Sequence, residues 1–184
     1  MVRHLPLSCV ALVTAALAVG ASLPRLAHGQ SRTRDLTSVF FVAKSENRNQ
    51  VHYGVHLDEA CAPAGRAPVF AYWRMLEHGP LATEPLLAHE VAAYGVAGER
   101  VLERGATGGQ VSVTLHALSA RPIVVASRPQ GDTCWAAATT AIAGTPAELT
   151  SVYAQLGWPF GVAYLIVSGR RLTDGREVRE RVVP

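Results

Sequence analysis

Apolar and polar residues alternate through most of this chain, and this pattern constrains the fold more than any other feature. In the segment QVHYGVHLD, apolar side chains occupy every second position, at Val51, Tyr53, Val55 and Leu57. Successive side chains of a β-strand point to opposite faces, so the pattern predicts a strand with one buried and one solvated face. Helical spacing of apolar residues is scarce elsewhere in the chain.

Eight further segments have the same character, and Gly, Pro, Asn or Asp stands at nearly every junction between them. They are residues 37–45, 67–77, 109–119, 121–129, 134–142, 149–156, 160–169 and 177–183. Many short strands separated by turn residues are typical of an antiparallel all-β domain. We therefore predict an all-β fold, a sandwich or barrel of about eight to ten short strands.

Aromatic residues indicate how two of these strands are oriented. In the first predicted strand, Val39, Phe41 and Ala43 share one face. In the third, the face that carries Trp73 and Met75 is predicted to belong to the core, because a large aromatic ring beside Met is well suited to packing.

One stretch, residues 84–96, has features of a short helix. Pro85 stands near a possible first turn and Gly95 at a possible C-terminal cap. The chain is therefore predicted to contain at most one short helix.

The first 29 residues have the composition of an export signal. Arg3 precedes an uncharged apolar run at residues 5–23, and Ala27 and Gly29 are small residues at the positions that a signal peptidase reads. We predict cleavage after Gly29. The alternative is an uncleaved N-terminal anchor, because the run barely reaches the roughly 20 apolar residues that cross a bilayer.

The remaining chain is predicted to form one domain in the periplasm or outside the cell. Residues 30–36 are expected to be a flexible N-terminus, and residues 37–184 a single all-β domain, because no linker divides them. No membrane span is expected after signal cleavage.

The charge balance argues against a nucleic-acid partner. The chain has 17 basic and 14 acidic residues, and removal of Arg3 and Arg25 with the signal leaves 15 basic residues against the same 14 acids. Nucleic-acid binding needs clustered Lys and Arg, and the one basic cluster lies beside the predicted cleavage site.

Cys134 stands in the segment GDTCWA, which is similar to the nucleophile segment of papain-type proteases. Only 50 residues follow it and none is His, whereas those enzymes carry their His well downstream of the Cys. Outside the signal, the chain has two cysteines, Cys61 and Cys134. In an oxidising compartment this number favours a disulfide between them. Two separate thiols are the alternative.

Two blocks of the sequence resemble a known bacterial family. The segments FFVAKSENRNQVHYGVHLD, at residues 40–58, and PVFAYWRMLE, at residues 68–77, are similar to the signature blocks of a domain-of-unknown-function family (number 4833). Its pattern pairs Lys-Ser-x-Asn-x-Asn-x-Val-His-Tyr with Pro-Val-x-x-Tyr-Trp-Arg. The likeness extends more loosely over nearly all of residues 37–184. The resemblance implies no reaction, because the activity of the family is unknown.

The resemblance does indicate which polar residues correspond to the family's motifs. Asn47 and Asn49 stand between two predicted strands, where they can shape a turn or bind a ligand. Arg74 can form an ion pair or hold an anionic group. The candidate ligand-binding residues are Lys44, Asn47, Asn49, His52, Tyr72, Arg74 and Glu77.

No catalytic set, metal site or cofactor is predicted. His52 and His56 are four residues apart on a strand, so their backbones lie roughly 13 Å apart, too far to share one zinc ion. We therefore predict a non-enzymatic binding or structural module, with a polar small molecule, a glycan or an envelope protein as its partner. The alternative is a hydrolase that uses His52 with Glu77 or Asp58 as an acid–base pair.

Overall fold

The computed structural model describes residues 34–79, 82–157 and 161–183. The predicted export signal, residues 1–29, lies outside them. The first strand begins at Arg34, within the segment for which a flexible N-terminus was expected.

The described residues form eleven strands, one α-helix and one turn of 3₁₀ helix. The strands are β1 (Arg34–Lys44), β2 (Gln50–Leu57), β3 (Val69–Arg74), β4 (Thr83–Pro85), β5 (Val96–Gly105), β6 (Gly108–Leu115), β7 (Ile123–Gln130), β8 (Thr133–Ile142), β9 (Thr145–Gly157), β10 (Gly161–Arg171) and β11 (Glu177–Val182). The helix α1 spans Ala88–Tyr94, and the 3₁₀ turn spans His116–Leu118. The predicted all-β class is confirmed. The two strands that were not predicted are β4, with three residues, and β5, whose sequence VAGERVLERG scarcely alternates.

All the strands belong to one sheet that branches at β9. Along one edge, β9 pairs with β8 through residues 145–148 and with β1 through residues 151–154. Its other edge pairs with β10, which in turn pairs with β11. The β1–β9 ladder is parallel, and the other described ladders are antiparallel.

The branch divides the sheet into two arms that share one core. One arm continues from β1 through β2 and β3 to β4, and the other from β8 through β7 and β6 to β5. Buried side chains of both arms, such as Tyr53 in β2 and Val113 in β6, belong to the same apolar cluster. This arrangement is a sandwich, in which burial of the apolar cluster is the main stabilising contribution.

In β1, the core side chains are Phe40 and Val42, not those on the face that carries Phe41. Phe40 lies opposite Tyr53 in β2 and stacks on its ring at 4.5 Å between centroids. Because Phe40 and Phe41 are adjacent, the sequence does not show which of them faces the core. The contact of Phe40 with Tyr53 shows that it is Phe40. Phe41 is consequently on the outer face, beside His52.

The predicted short helix is confirmed as α1, which carries no buried residue. Leu87 is its N-cap, so Pro85 lies in β4 and not in the first helical turn. Gly95 is the C-cap, and its N–H donates to the carbonyl oxygen of Val91. None of the helices among the described residues is long and apolar enough to cross a membrane.

Candidate functional site

A cavity of about 450 Å³ opens at one end of the sandwich, where the β1–β2 loop, the end of β3, the strand β4 and the start of α1 meet. This volume is within the range of small-molecule sites in proteins. Its lining residues are Lys44, Asn47, Asn49, Trp73, Met75, Glu84, Pro85, Leu87 and Glu90.

Lys44 lies at the end of β1 and forms one side of the cavity. Its Nζ is 3.3 Å from Oε2 of Glu46 and 5.2 Å from the centroid of the Trp73 ring. The ring attracts the ammonium group electrostatically, which holds it at the cavity wall. The ion pair with Glu46 is weak because the Glu46 side chain is more than half exposed.

Asn47 and Asn49 shape the loop between β1 and β2. The backbone N–H of Asn49 donates to Oδ1 of Asn47 at 3.1 Å, and the backbone N–H of Glu77 donates to Oδ1 of Asn49 at 3.2 Å. Both amide oxygens are therefore used to hold the loop. Among the described residues, no hydrogen bond from either side-chain NH₂ group is found, and both residues line the cavity.

Trp73 belongs to the core, as its sequence pattern predicted, and also lines the cavity. The strand pair β3–β4 places Glu84 directly opposite Trp73. Since opposite residues of an antiparallel pair share a face, Glu84 also lies on the cavity side. Glu90 comes from the first turn of α1, where its Oε2 accepts the backbone N–H of Leu87 at 2.7 Å.

His52, Tyr72 and Arg74, which were predicted to bind ligand, lie on the other face of the sheet. His52 pairs with Tyr72 across β2 and β3, and both alternate with residues of the cavity face, such as Trp73. Of the seven candidates, the structure brings Lys44, Asn47 and Asn49 together in the cavity. Glu77 supports the loop, since its Oε1 accepts the backbone N–H of Arg48 at 3.4 Å.

His52 is held in its neutral form. Its Nε2 is 3.0 Å from Oε1 of Gln50, which can only accept, so Nε2 carries the proton. Its Nδ1 then accepts the hydroxyl of Ser38 at 2.7 Å. Burial, with a smaller contribution from the positive charge of Arg74, lowers the pKa of His52 from 6.5 to about 4.

Neither carboxylate proposed as a partner of His52 contacts it within the part of the chain that the structure describes. Oδ1 of Asp58 accepts the backbone N–H groups of Ala60 and Ala62, both at 2.9 Å, and so closes the turn after β2. Glu77 accepts the backbone N–H of Arg48 in the β1–β2 loop. The carboxylates therefore have structural uses.

Cys61 and Cys134 form a disulfide, with their Cα atoms 5.4 Å apart. This confirms the predicted pairing, and Cys134 is consequently not a free nucleophile. The bond joins the turn after β2 to β8 and hence links the two arms of the sheet.

The acidic and apolar wall of the cavity was not predicted. Glu84, Pro85, Leu87 and Glu90 come from β4 and the start of α1, about forty positions after Lys44 in the chain. Nothing in their local sequence distinguishes them from other surface residues. The sequence contains no signal that pairs Glu84 with Trp73, because β4 is only three residues long.

A family model described as Domain of unknown function (DUF4833) matches residues 40–181. The chain belongs to this family. The match confirms the family that the sequence resembles, and it covers every residue that lines the cavity. No match was found among curated proteins or among solved structures.

Proposed function

We propose that this DUF4833 protein is a non-enzymatic binding module that holds a polar small molecule in the cavity at the β1–β2 loop. The observation that carries the proposal is the set of hydrogen-bond donors that have no partner, or only a weak one, among the described residues at a pocket of ligand size. These are the side-chain NH₂ groups of Asn47 and Asn49, together with the weakly paired ammonium of Lys44. Loops held by rigid strands are frequent ligand sites.

The indole of Trp73 adds support. Its ring lies beside Lys44 in the cavity wall, and aromatic side chains are typical of small-molecule sites.

We further propose that the protein works in the periplasm or outside the cell. The disulfide supports this, since such bonds persist mainly in oxidising compartments. The predicted export signal at residues 1–29 is the second support.

The hydrolase alternative has less support. Both ring nitrogens of His52 are engaged by uncharged groups, Ser38 and Gln50, and a pKa of about 4 makes the ring a weak base at neutral pH. Turnover of ester, peptide or glycoside substrates that is lost in a His52→Ala variant would contradict the non-enzymatic proposal.

A ligand screen tests the proposal. The purified protein is mixed with sugars, peptidoglycan fragments, peptides and lipids, and thermal unfolding is followed together with the NMR signals of the Trp73 indole and the Asn47 and Asn49 side-chain amides. We expect one class to raise the melting temperature saturably and to shift these signals. Lys44→Met should weaken the effect, whereas Arg100→Met, an exposed change on β5, should not. If no class shifts the cavity signals, the proposed function is wrong.

A further inference from the structure

The polar groups around the cavity are divided by sign. On the side of the β1–β2 loop stand donors, the ammonium of Lys44 and the amide groups of Asn47 and Asn49. On the side of β4 and α1 stand the carboxylates of Glu84 and Glu90. A ligand that satisfies both sides needs an anionic group at one end and a cationic group at the other.

The existing ion-pair partners of Lys44 and Glu84 are weak enough for a ligand to compete. Lys44 is paired with Glu46, whose side chain is 54% exposed. Glu84 approaches only Nδ1 of His78 among the described residues, at 4.0 Å, and both side chains are more than half exposed. Exposed ion pairs of this kind contribute about 0–1 kcal/mol, less than a charge-assisted hydrogen bond to a partly buried ligand.

Apolar side chains complete the wall of the cavity. Met75, Pro85 and Leu87 line the cavity, and Leu87 is 60% exposed although its side chain is large and apolar. Such a surface accepts an aliphatic group, whose burial adds affinity without a charge requirement.

The size of the cavity indicates how far apart the charged ends of a ligand stand. A volume of about 450 Å³ corresponds to a width of roughly 9–10 Å if the cavity is spherical. An extended chain advances at most about 3.3–3.6 Å per residue, so two or three residues span this width. A single amino acid, whose ammonium and carboxylate groups are attached to the same carbon atom, does not span this width.

On the basis of the proposed function, we propose that the ligand is a zwitterionic short peptide. Its carboxylate binds Lys44, Asn47 and Asn49, its ammonium group binds Glu84 and Glu90, and an apolar side chain rests on Leu87 and its neighbours. The proposal rests on the proposed binding function and adds the class of ligand.

Four forms of one dipeptide test the proposal. Alanyl-leucine is used with both ends free, with the amine acetylated, with the carboxylate amidated, and with both ends blocked. Binding is measured by NMR titration of the cavity signals at low ionic strength, because salt screens exposed charges. We expect the free dipeptide to bind about tenfold more tightly than either singly blocked form, as a lost charge-assisted contact of about 1.4 kcal/mol predicts.

Charge variants show which side of the cavity binds which end of the dipeptide. Glu84→Gln should reduce the loss of affinity that acetylation of the amine causes, the acetylation penalty. It should leave unchanged the loss that amidation of the carboxylate causes, the amidation penalty. Lys44→Met should do the reverse. Matched controls are Glu103→Gln and Arg100→Met, exposed changes on β5 that do not line the cavity, and both should preserve the two penalties.

The outcomes separate the two proposals. If the doubly blocked dipeptide binds as well as the free one, the peptide proposal is wrong and the binding function stands. The same conclusion follows if glycerophosphoethanolamine, a zwitterion that is not a peptide, binds and the free dipeptide does not. If neither these probes nor the wider screen shifts the cavity signals, the binding function itself is wrong. If each variant removes the penalty for its own end alone, the peptide proposal is supported.

Discussion

His52 is a buried titratable residue on the outer face of the arm that runs from β1 to β4. The residue is 4% exposed, and its ring lies between those of Phe41 and Tyr72, with centroids 5.4 Å and 5.8 Å away. Ser38 and Gln50 occupy its two nitrogens. The residue therefore orders this face of the sheet in its uncharged form.

Stability should fall in acid because of His52. The pKa of His52 is about 4 in the folded state, against the ordinary histidine value of 6.5 in the unfolded chain, so the unfolded chain binds more protons between these pH values. The stabilisation is complete above pH 6.5 and is lost as the pH falls to 4, by up to about 3 kcal/mol. We expect urea unfolding to show a steeper decrease over this window for the wild type than for His52→Gln. Equal slopes for the two proteins would contradict this assignment.

At the scale of elements, α1 and β4 form the cavity wall that the sequence did not predict. The alternation in β2 and β3 does place Trp73 and Tyr72 on opposite faces, so the division of the candidate residues between two surfaces was readable from the pattern. The position of α1 against β3 could not be predicted from the sequence, because the helix carries no buried residue whose spacing marks a packing face. Local patterns thus predict the strands, and long-range contacts decide the cavity.

Gly95 should be sensitive to substitution because it ends α1. A Cβ atom there would collide with the carbonyl oxygen and the side chain of Val91. We expect Gly95→Ala to lower the free energy of unfolding by about 1–3 kcal/mol, since a crowded site must shift to admit the added atom. The change should also weaken ligand binding, because α1 carries Glu90.

Gly98→Ala is the matched control for this change. A Cβ atom at Gly98 meets nothing within 4 Å, so the substitution should leave stability and binding nearly unchanged. Chemical denaturation and the NMR titration of the cavity signals measure both variants. Equal effects of the two substitutions would show that the contact with Val91 is not the cause.

At the scale of the whole molecule, the disulfide ties one arm of the sandwich to the other. Its partners are 73 positions apart, and cross-linking a loop of this length stabilises the folded state by roughly 4 kcal/mol in the chain-entropy model. The double variant Cys61→Ala, Cys134→Ala should lose about this amount in urea unfolding. Reductant should destabilise the wild type to the level of the variant and leave the variant unchanged. A variant as stable as the oxidised wild type would contradict a stabilising role.

The branch at β9 has a consequence for the order in which the fold can be completed. The parallel ladder joins residues 41–44 to residues 151–154, so about 110 positions of chain must be made before β1 gains its second neighbour. Contacts between such distant positions form slowly, because closing a long loop costs entropy before any contact repays it. During synthesis, the first three strands therefore leave the ribosome without the partner that completes their sheet. Because β1 pairs with β9 only after most of the chain has been made, the sheet is incomplete during synthesis. An incompletely folded chain is compatible with the export that we propose for it.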